Sequence, residues 1–328
     1  MTDEQINVSC VGCGTIGAGW VARLILNGYN VKIYDPTPLS DSRLNNMLNN
    51  SKRAHKKLFP NANMNLGTFD YYTETAPALA NANFVIESVP ERIETKQKIY
   101  EQIEKVCSPQ TVIASSTSGI KPSDLQKQMK HPERLIVAHP FNPVYLIPMV
   151  EVVGGSKTDL LFINKACDFF TSIFMKPVHI KKEIEAFVAD RLLEAIWRES
   201  LWLIKDGICT TEELDDIVRY GFGLRYAQMG VFQTYRTAAG EGGMRQFLHH
   251  FGPCLSWPWT KLMDVPEFND ELIDLISGQS DEQAKGKSVT DLERIRDDNL
   301  VEIQKALEKN DYGAGTLIKK ARAATEEF

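Results

Sequence analysis

Short apolar runs alternate with longer mixed segments through the first half of the chain. The runs are "INVSCVG", "VKIYD", "FVIESV", "TVIASS", "LIVAH", "MVEVV" and "PVHI". Between them lie segments of helical character such as "ERIETKQKIYEQIEKVC". This rhythm predicts βαβ units, and so an α/β fold with a Rossmann-type, doubly wound, mainly parallel sheet. Residues 36–83 make a longer connection, rich in Asn and Lys, that is expected to hold a helical pair between strands.

After about residue 183 the pattern changes. "EAFVADRLLEAIWRESLWLIKDG" predicts one long helix closed by Gly207. Thr210 and Glu213 are spaced as a capping box, and Ser280/Gln283 and Thr290/Glu293 repeat the signal. The second half is therefore expected to be all-α, with domains at 1–183 and 184–328. A chain of 328 residues, 43% hydrophobic, is long enough for two cores.

The run "CVGCGTIGAGW" places Gly12, Gly14 and Gly17 as GxGxxG between a strand-like and a helix-like stretch. In that context the motif is informative. Gly12 permits the tight turn, Gly14 lets the backbone approach a pyrophosphate, and Gly17 lets helix and strand pack closely. Thr15 and Ile16 open the helix whose free N–H groups would face the phosphates. The next strand-like run, "VKIYD", ends in Asp35. A carboxylate there suits the ribose hydroxyls of NAD and repels the 2′-phosphate of NADP. The first domain is thus expected to bind NAD.

Charge and cysteines narrow the classes. The net charge of −6 argues against a nucleic-acid or membrane-surface partner. No apolar run approaches the roughly 20 residues that span a bilayer. "MTDEQ" lacks a basic leader, so a cytoplasmic location is expected. Cysteines 10, 13, 107, 167, 209 and 254 read as reduced. Cys10 and Cys13 form a CxxC without a second ligand pair nearby, so no metal site is expected.

The strand ends carry the candidate chemistry. In a doubly wound sheet the carboxyl ends of the strands line the ligand crevice. His139 ends "LIVAH", and "ASSTSG" brings Ser116 and Ser118 to the same rim. Glu151 follows in "MVEVV". A histidine takes a hydroxyl proton near neutral pH, and a carboxylate on its other nitrogen fixes the tautomer. A serine hydroxyl holds the reacting oxygen. Together they suit oxidation of a secondary alcohol, with hydride leaving to a nicotinamide. Taken singly, His139 reads as a capped loop histidine and Glu151 as an edge residue.

With the glycine loop, "SSTSG", "HPFNPV" and "VEVVGG" in order, nearly the whole chain resembles the 3-hydroxyacyl-CoA dehydrogenase superfamily. The resemblance implies that Ser118, His139 and Glu151 are catalytic. It implies that Asp35, Glu91 of "ESVPER" and Lys96 contact NAD, and that the helical half forms a homodimer. Ser116 and Asn142 complete the expected cofactor contacts.

The acyl-CoA enzymes of that superfamily usually open the second domain with Pro-Gly before Phe, then Asn-Arg. This chain has "EIEAFVADR", with Asp190 in place of the asparagine. The strings "FVADR", "RYGFGLRYAQMG" and "FGPCLSWPWTKLMDVPEF" resemble a carnitine-oxidising branch, which implies oxidation of L-carnitine to 3-dehydrocarnitine.

A quaternary ammonium needs aromatic faces, sometimes with a carboxylate. Tyr145, Trp197, Tyr220 and Phe222 are candidates, with Asp190 seven residues before Trp197 on one helical face. Arg191 is one candidate for the substrate carboxylate. Aromatic residues at helical spacing also serve as ordinary core, so the residues alone define only a small 3-hydroxy acid. A 3-hydroxybutyryl-CoA substrate, with "SKRAHKKLF" as a phosphate track, stays open. So do another free hydroxy acid and a non-catalytic NAD-binding role. The run "CLSWPWTKLM" at 254–263 suits either an interface or internal packing.

Overall fold

The computed structural model describes residues 6–38, 41–61, 65–227, 230–238, 248, 260 and 269–326. Eight strands form one sheet: β1 Val8–Val11, β2 Val31–Tyr34, β3 Phe69–Tyr72, β4 Phe84–Glu87, β5 Val112–Ser115, β6 Leu135–Pro140, β7 Met149–Gly154 and β8 Lys176–Ile180. Their order is β3-β2-β1-β4-β5-β6-β7-β8. Every neighbouring pair is parallel except β6 and β7, which run antiparallel. β1, β4, β5 and β6 are buried throughout, which is why they read as continuous apolar runs.

The two sheet faces build two cores. Phe84, Ile86, Ile136 and Ala138 pack on one face with Trp20 and Leu24 of helix α1 (Thr15–Leu26) and Leu44 and Leu48 of α2 (Asp41–Leu58). Val85, Leu135 and Val137 pack on the other with Ile99, Tyr100 and Ile103 of α4 (Ile93–Val106). The alternation along β4 and β6 follows from the two-residue period of a strand. Val301, Ile318 and Ala321 join the first face, so the end of the chain packs back beside α1 and α2.

The chain forms two compact units, Met1–Asp190 with Arg296–Phe328, and Arg191–Ile295. Packing thus divides it differently from the 1–183 and 184–328 split that the sequence texture suggests. The segment from residue 296 is helical like its predecessors, but its apolar face covers the sheet domain.

Three local expectations need correction. The 36–83 connection holds a strand, β3, between α2 and the short helix α3 (Thr75–Leu79). "FDYY" escaped notice because it is a half-buried edge strand without an aliphatic run. Ser280 and Gln283 lie inside the helix Asp270–Ala284, not at its start. The helix Val289–Lys309 is entered through Ser288 and Asp291, not Thr290 and Glu293. Ser288 Oγ accepts the Asp291 N–H at 3.2 Å, and the Asp291 carboxylate accepts the Ser288 N–H at 3.1 Å.

The Thr210/Glu213 capping box is formed as expected. After α5 (Pro122–Leu125) and α6 (Leu160–Ser172), the long helix α7 is Ala189–Lys205, with Gly207 just beyond it at φ 67°. The expected start was four residues too early, because Ala186 and Phe187 are left-handed, at φ 59° and 49°. Among the described residues no helix is long and apolar enough to cross a membrane. The run at 254–263 lies outside the described residues apart from Thr260.

Candidate active site

The glycine loop connects β1 to α1. Gly12 has φ 89°, and a Cβ there would lie 2.8 Å from the Ser88 carbonyl carbon and oxygen. A Cβ on Gly17 would lie 2.0 Å from the Gly12 carbonyl oxygen. Both positions therefore exclude any side chain. Gly14 has open space where a Cβ would point, so its backbone is accessible to a ligand. Helix α1 has no side-chain cap at its N-terminus and no acidic residue in its first turn. Exposed Thr15 and half-buried Ile16 begin it. Its leading N–H groups and positive dipole end suit a phosphate.

Asp35 follows β2 and faces the same loop. Its Oδ2 accepts the Cys13 N–H at 2.8 Å, and its Oδ1 accepts the Thr37 N–H at 2.9 Å. A cavity of about 670 Å³ opens here, lined by Gly12, Gly14, Asp35 and Ser88. Arg43 and Tyr71 also line it, and no sequence signal pointed to either. The acid, the bare glycine backbone and the cavity together fit NAD. The CxxC thiols are unsuited to chemistry. Burial, and then the neighbouring Asp35 charge, push the Cys13 thiol up to about 11, and burial pushes Cys10 up further.

The next rim is built on a buried carboxylate that sequence reading missed. Glu87, at the end of β4, is fully buried. It accepts hydrogen bonds from Lys96 Nζ at 2.8 Å, Val89 N–H at 2.8 Å, Tyr100 Oη at 2.6 Å and Ser115 Oγ at 2.6 Å. Lys96 is 1% exposed and also pairs with Glu91 at 3.3 Å. Lys96 was expected to contact NAD; here its donors face Glu87, Glu91 and the Val89 carbonyl in a buried brace. A sequence cannot distinguish a lysine that meets a ligand from one that holds the carboxylate beside it.

Glu91 in turn shapes the serine loop. It accepts from the Thr117 hydroxyl, the Ser118 N–H at 3.0 Å and the Gly119 N–H at 3.3 Å. Partial burial alone would raise its pKa, but Thr117, the Lys96 charge and the Gly119 N–H outweigh it, so the carboxyl is held below its ordinary value. Ser116 Oγ accepts from Trp20 Nε1 and from Ser88 Oγ, each at 3.0 Å, which leaves its own proton to donate. Ser118 is exposed at the same rim, and Asn142 is exposed just past β6.

His139 and Glu151 are directly paired across β6 and β7. Residues opposite each other in an antiparallel pair project to one face. His139 Nδ1 lies 2.9 Å from Glu151 Oε2. With an ionised carboxylate accepting there, Nδ1 carries the proton and Nε2 keeps its lone pair. The other oxygen of Glu151 accepts the Val188 and Ala189 N–H groups, each at 3.1 Å, at the start of α7. His139 is 5% exposed, with Phe141 and Phe187 rings at 5.2 and 5.8 Å from its own. Asp190 Oδ2 lies 3.8 Å from the free Nε2.

Of the expected substrate contacts, the structure brings Asp190 to the histidine. Tyr145 is a correction: its ring is buried and its hydroxyl donates to Asp297, so it supports the C-terminal segment. Arg191, Trp197, Tyr220 and Phe222 belong to the second unit. There Trp197 and Tyr220 are exposed, and Phe222 stacks edge-on with Tyr226 at 5.4 Å. The basic track is partly neutralised, since Arg53 and Lys57 both pair with Asp298.

A dinucleotide loop with an acidic second-strand end, joined to a strand-end His–Glu pair, defines an NAD-dependent oxidoreductase. The chain belongs to the 3-hydroxyacyl-CoA dehydrogenase family: residues 7–184 match its NAD binding domain and residues 187–263 its C-terminal domain. The chain is similar to an L-carnitine dehydrogenase of Mesorhizobium japonicum, at 58% identity over 94% of this chain and 85% of that protein. It is 55% identical to an L-carnitine dehydrogenase/betainyl-CoA thioesterase of Agrobacterium fabrum, over 96% of this chain but 64% of that longer protein. A solved NAD+-dependent dismutase, FHMPC 5-dehydrogenase, has 28% identity and a TM-score of 0.77, over 92% of this chain and 98% of its own.

Proposed function

We propose that the chain oxidises L-carnitine to 3-dehydrocarnitine with NAD. The carrying observation is the His139–Glu151 pair, which leaves Nε2 free at the strand ends beside Asp190. His139 takes the 3-hydroxyl proton at Nε2. Glu151 holds the ring and stabilises the imidazolium. The Ser118 hydroxyl donates to the reacting oxygen, and Ser116 and Asn142 orient the cofactor. Bound NAD supplies the hydride acceptor for the hydrogen on C3. The products are the ketone, NADH and a proton, so alkaline pH favours oxidation about tenfold per unit.

Asp190 distinguishes this substrate from an acyl-CoA. In carnitine the ammonium is two carbons from the reacting oxygen, so a carboxylate next to Nε2 is within reach of the cation. A neutral acyl chain carries no charge for that carboxylate to attract. The similarity to L-carnitine dehydrogenases of several bacteria supports the same substrate. Exposed Leu192, Leu193 and Ile196 on α7 support a homodimer, and a cytoplasmic location suits such an enzyme.

The test is NADH formation from L-carnitine, D-carnitine, 3-hydroxybutyrate and 3-hydroxybutyryl-CoA. Turnover of L-carnitine alone is expected. Asp190→Asn is expected to lower kcat/KM for carnitine about 30-fold and to leave any residual 3-hydroxybutyrate rate unchanged. Preferred turnover of the CoA ester refutes the substrate while keeping the histidine pair.

A further inference from the structure

A second cavity, of about 700 Å³, lies within the first unit between α1, the end of α2, the 143–148 loop and the C-terminal helices. It shares no lining residue with the cavity at the glycine loop, and none of Ser118, His139, Glu151 or Asp190 lines it. Its volume is in the range of small-molecule sites.

Three residues that line it each carry a fully buried side-chain atom without a hydrogen-bond partner: Arg23 Nε, His55 Nδ1 and Gln304 Oε1. Arg23 is 8% exposed, and its guanidinium donates one long hydrogen bond, at 3.4 Å, to the Ile147 carbonyl. Among the described residues no carboxylate pairs with it. Acids on the adjoining helix Val289–Lys309 are engaged elsewhere: Asp297 with Tyr145 and Arg296, Asp298 with Arg53 and Lys57, and Glu308 with Arg322. Burial lowers the Arg23 guanidinium to about 10, so it is charged at neutral pH. Burial, and then the Arg23 charge, push His55 down to about 4, so its imidazole is neutral there.

The cavity thus holds one uncompensated positive charge and a neutral imidazole among apolar walls such as Leu58, Phe174 and Ile318. A buried cation without a counter-ion is strongly unfavourable. Guanidinium forks match carboxylates, and the rest of the wall suits hydrocarbon.

We propose that this cavity binds a small monocarboxylate with an apolar body. Its carboxylate accepts from the accessible Arg23 Nη1 and His55 Nε2–H groups, and its hydrocarbon lies against Leu58, Phe174 and Ile318. The site lies apart from the proposed dehydrogenase chemistry.

Titration calorimetry of the full chain with sodium octanoate, at saturating NAD, is the test. One saturable site is expected. Arg23→Met is expected to weaken it at least about tenfold. Ala324→Phe, at an exposed alanine that lines the cavity, is expected to weaken it similarly by occupying the space, and it serves if Arg23→Met fails to fold. His139→Ala should bind like the wild type, which separates this cavity from the dehydrogenase site. Inorganic phosphate should bind at least about tenfold more weakly, lacking the apolar body. The proposal is overturned if octanoate does not bind, if Ala324→Phe binds it as tightly as the wild type, or if phosphate binds equally well.

Discussion

His139 is addressed by carboxylates at both nitrogens, at 2.9 Å on Nδ1 and 3.8 Å on Nε2. The two have different work. Glu151 is buried and its second oxygen is held by α7, so it orients the ring. Asp190 is partly exposed and lies beyond hydrogen-bond distance of the imidazole, on the side where the proposed mechanism places the substrate. On the proposed mechanism His139→Ala lowers kcat about 10²–10⁴-fold. Glu151→Gln lowers kcat by about 10²-fold with little change in KM for carnitine or NAD, because it misplaces a base without touching either. Steady-state kinetics would show this split, and a loss confined to KM would contradict it. Lys96 offers a stability test. Lys96→Met leaves the buried Glu87 charge without its cation, and a loss of about 3–5 kcal/mol is expected in urea denaturation. A loss below about 1 kcal/mol would mean that Tyr100 and Ser115 suffice.

β7 is the strand that makes the site. It runs antiparallel to β6 and so returns the chain from His139 to its partner in twelve residues. A parallel strand in its place would need a crossover of a dozen or more residues, longer than the connection 141–148 that joins β6 to β7. Helix α7 then starts on the Glu151 carboxylate, whose charge favours the positive end of the helix dipole. The entry to that helix is strained. Ala186, at φ 59°, occupies a left-handed conformation that costs a non-glycine residue about 1–2 kcal/mol. Ala186→Gly relieves this but adds unfolded-state entropy worth about 0.4–1 kcal/mol. A net gain of about 0.5–1 kcal/mol is expected, read as a higher denaturation midpoint. A midpoint lowered by the substitution would show that the methyl group packs usefully.

For the molecule as a whole, acid stability follows from buried titration. His55 has a folded pKa of about 4 against an ordinary 6.5. Between these values the unfolded chain binds the extra proton, so stability falls as pH drops from 6.5 to 4. The full loss is at most about 3 kcal/mol. Glu91 adds to it lower down. Its depressed carboxyl contributes stability above the ordinary value of 4.5, lost as pH falls through the lower folded value. Denaturation midpoints at pH 7, 6 and 5 should decline, and His55→Leu should flatten that decline. An unchanged slope in the variant would place the acid sensitivity elsewhere.

Much of this was legible in the residues, for a physical reason in each case. The glycine loop and Asp35 are local: a turn, a close approach and a strand end must sit at set spacings. Buried parallel strands announce themselves as apolar runs, and a capping box closes within four residues. What needed the tertiary structure was every choice among distant partners. "FDYY" is a strand because β2 lies beside it. Lys96 braces Glu87, and Tyr145 serves Asp297 across 152 positions, because packing brought those groups together. The class of chemistry follows from residue types at strand ends, where short-range rules suffice. The pairing of His139 with Glu151, the approach of Asp190, and the unmatched charge of Arg23 depend on which elements pack together. No window of sequence contains that information.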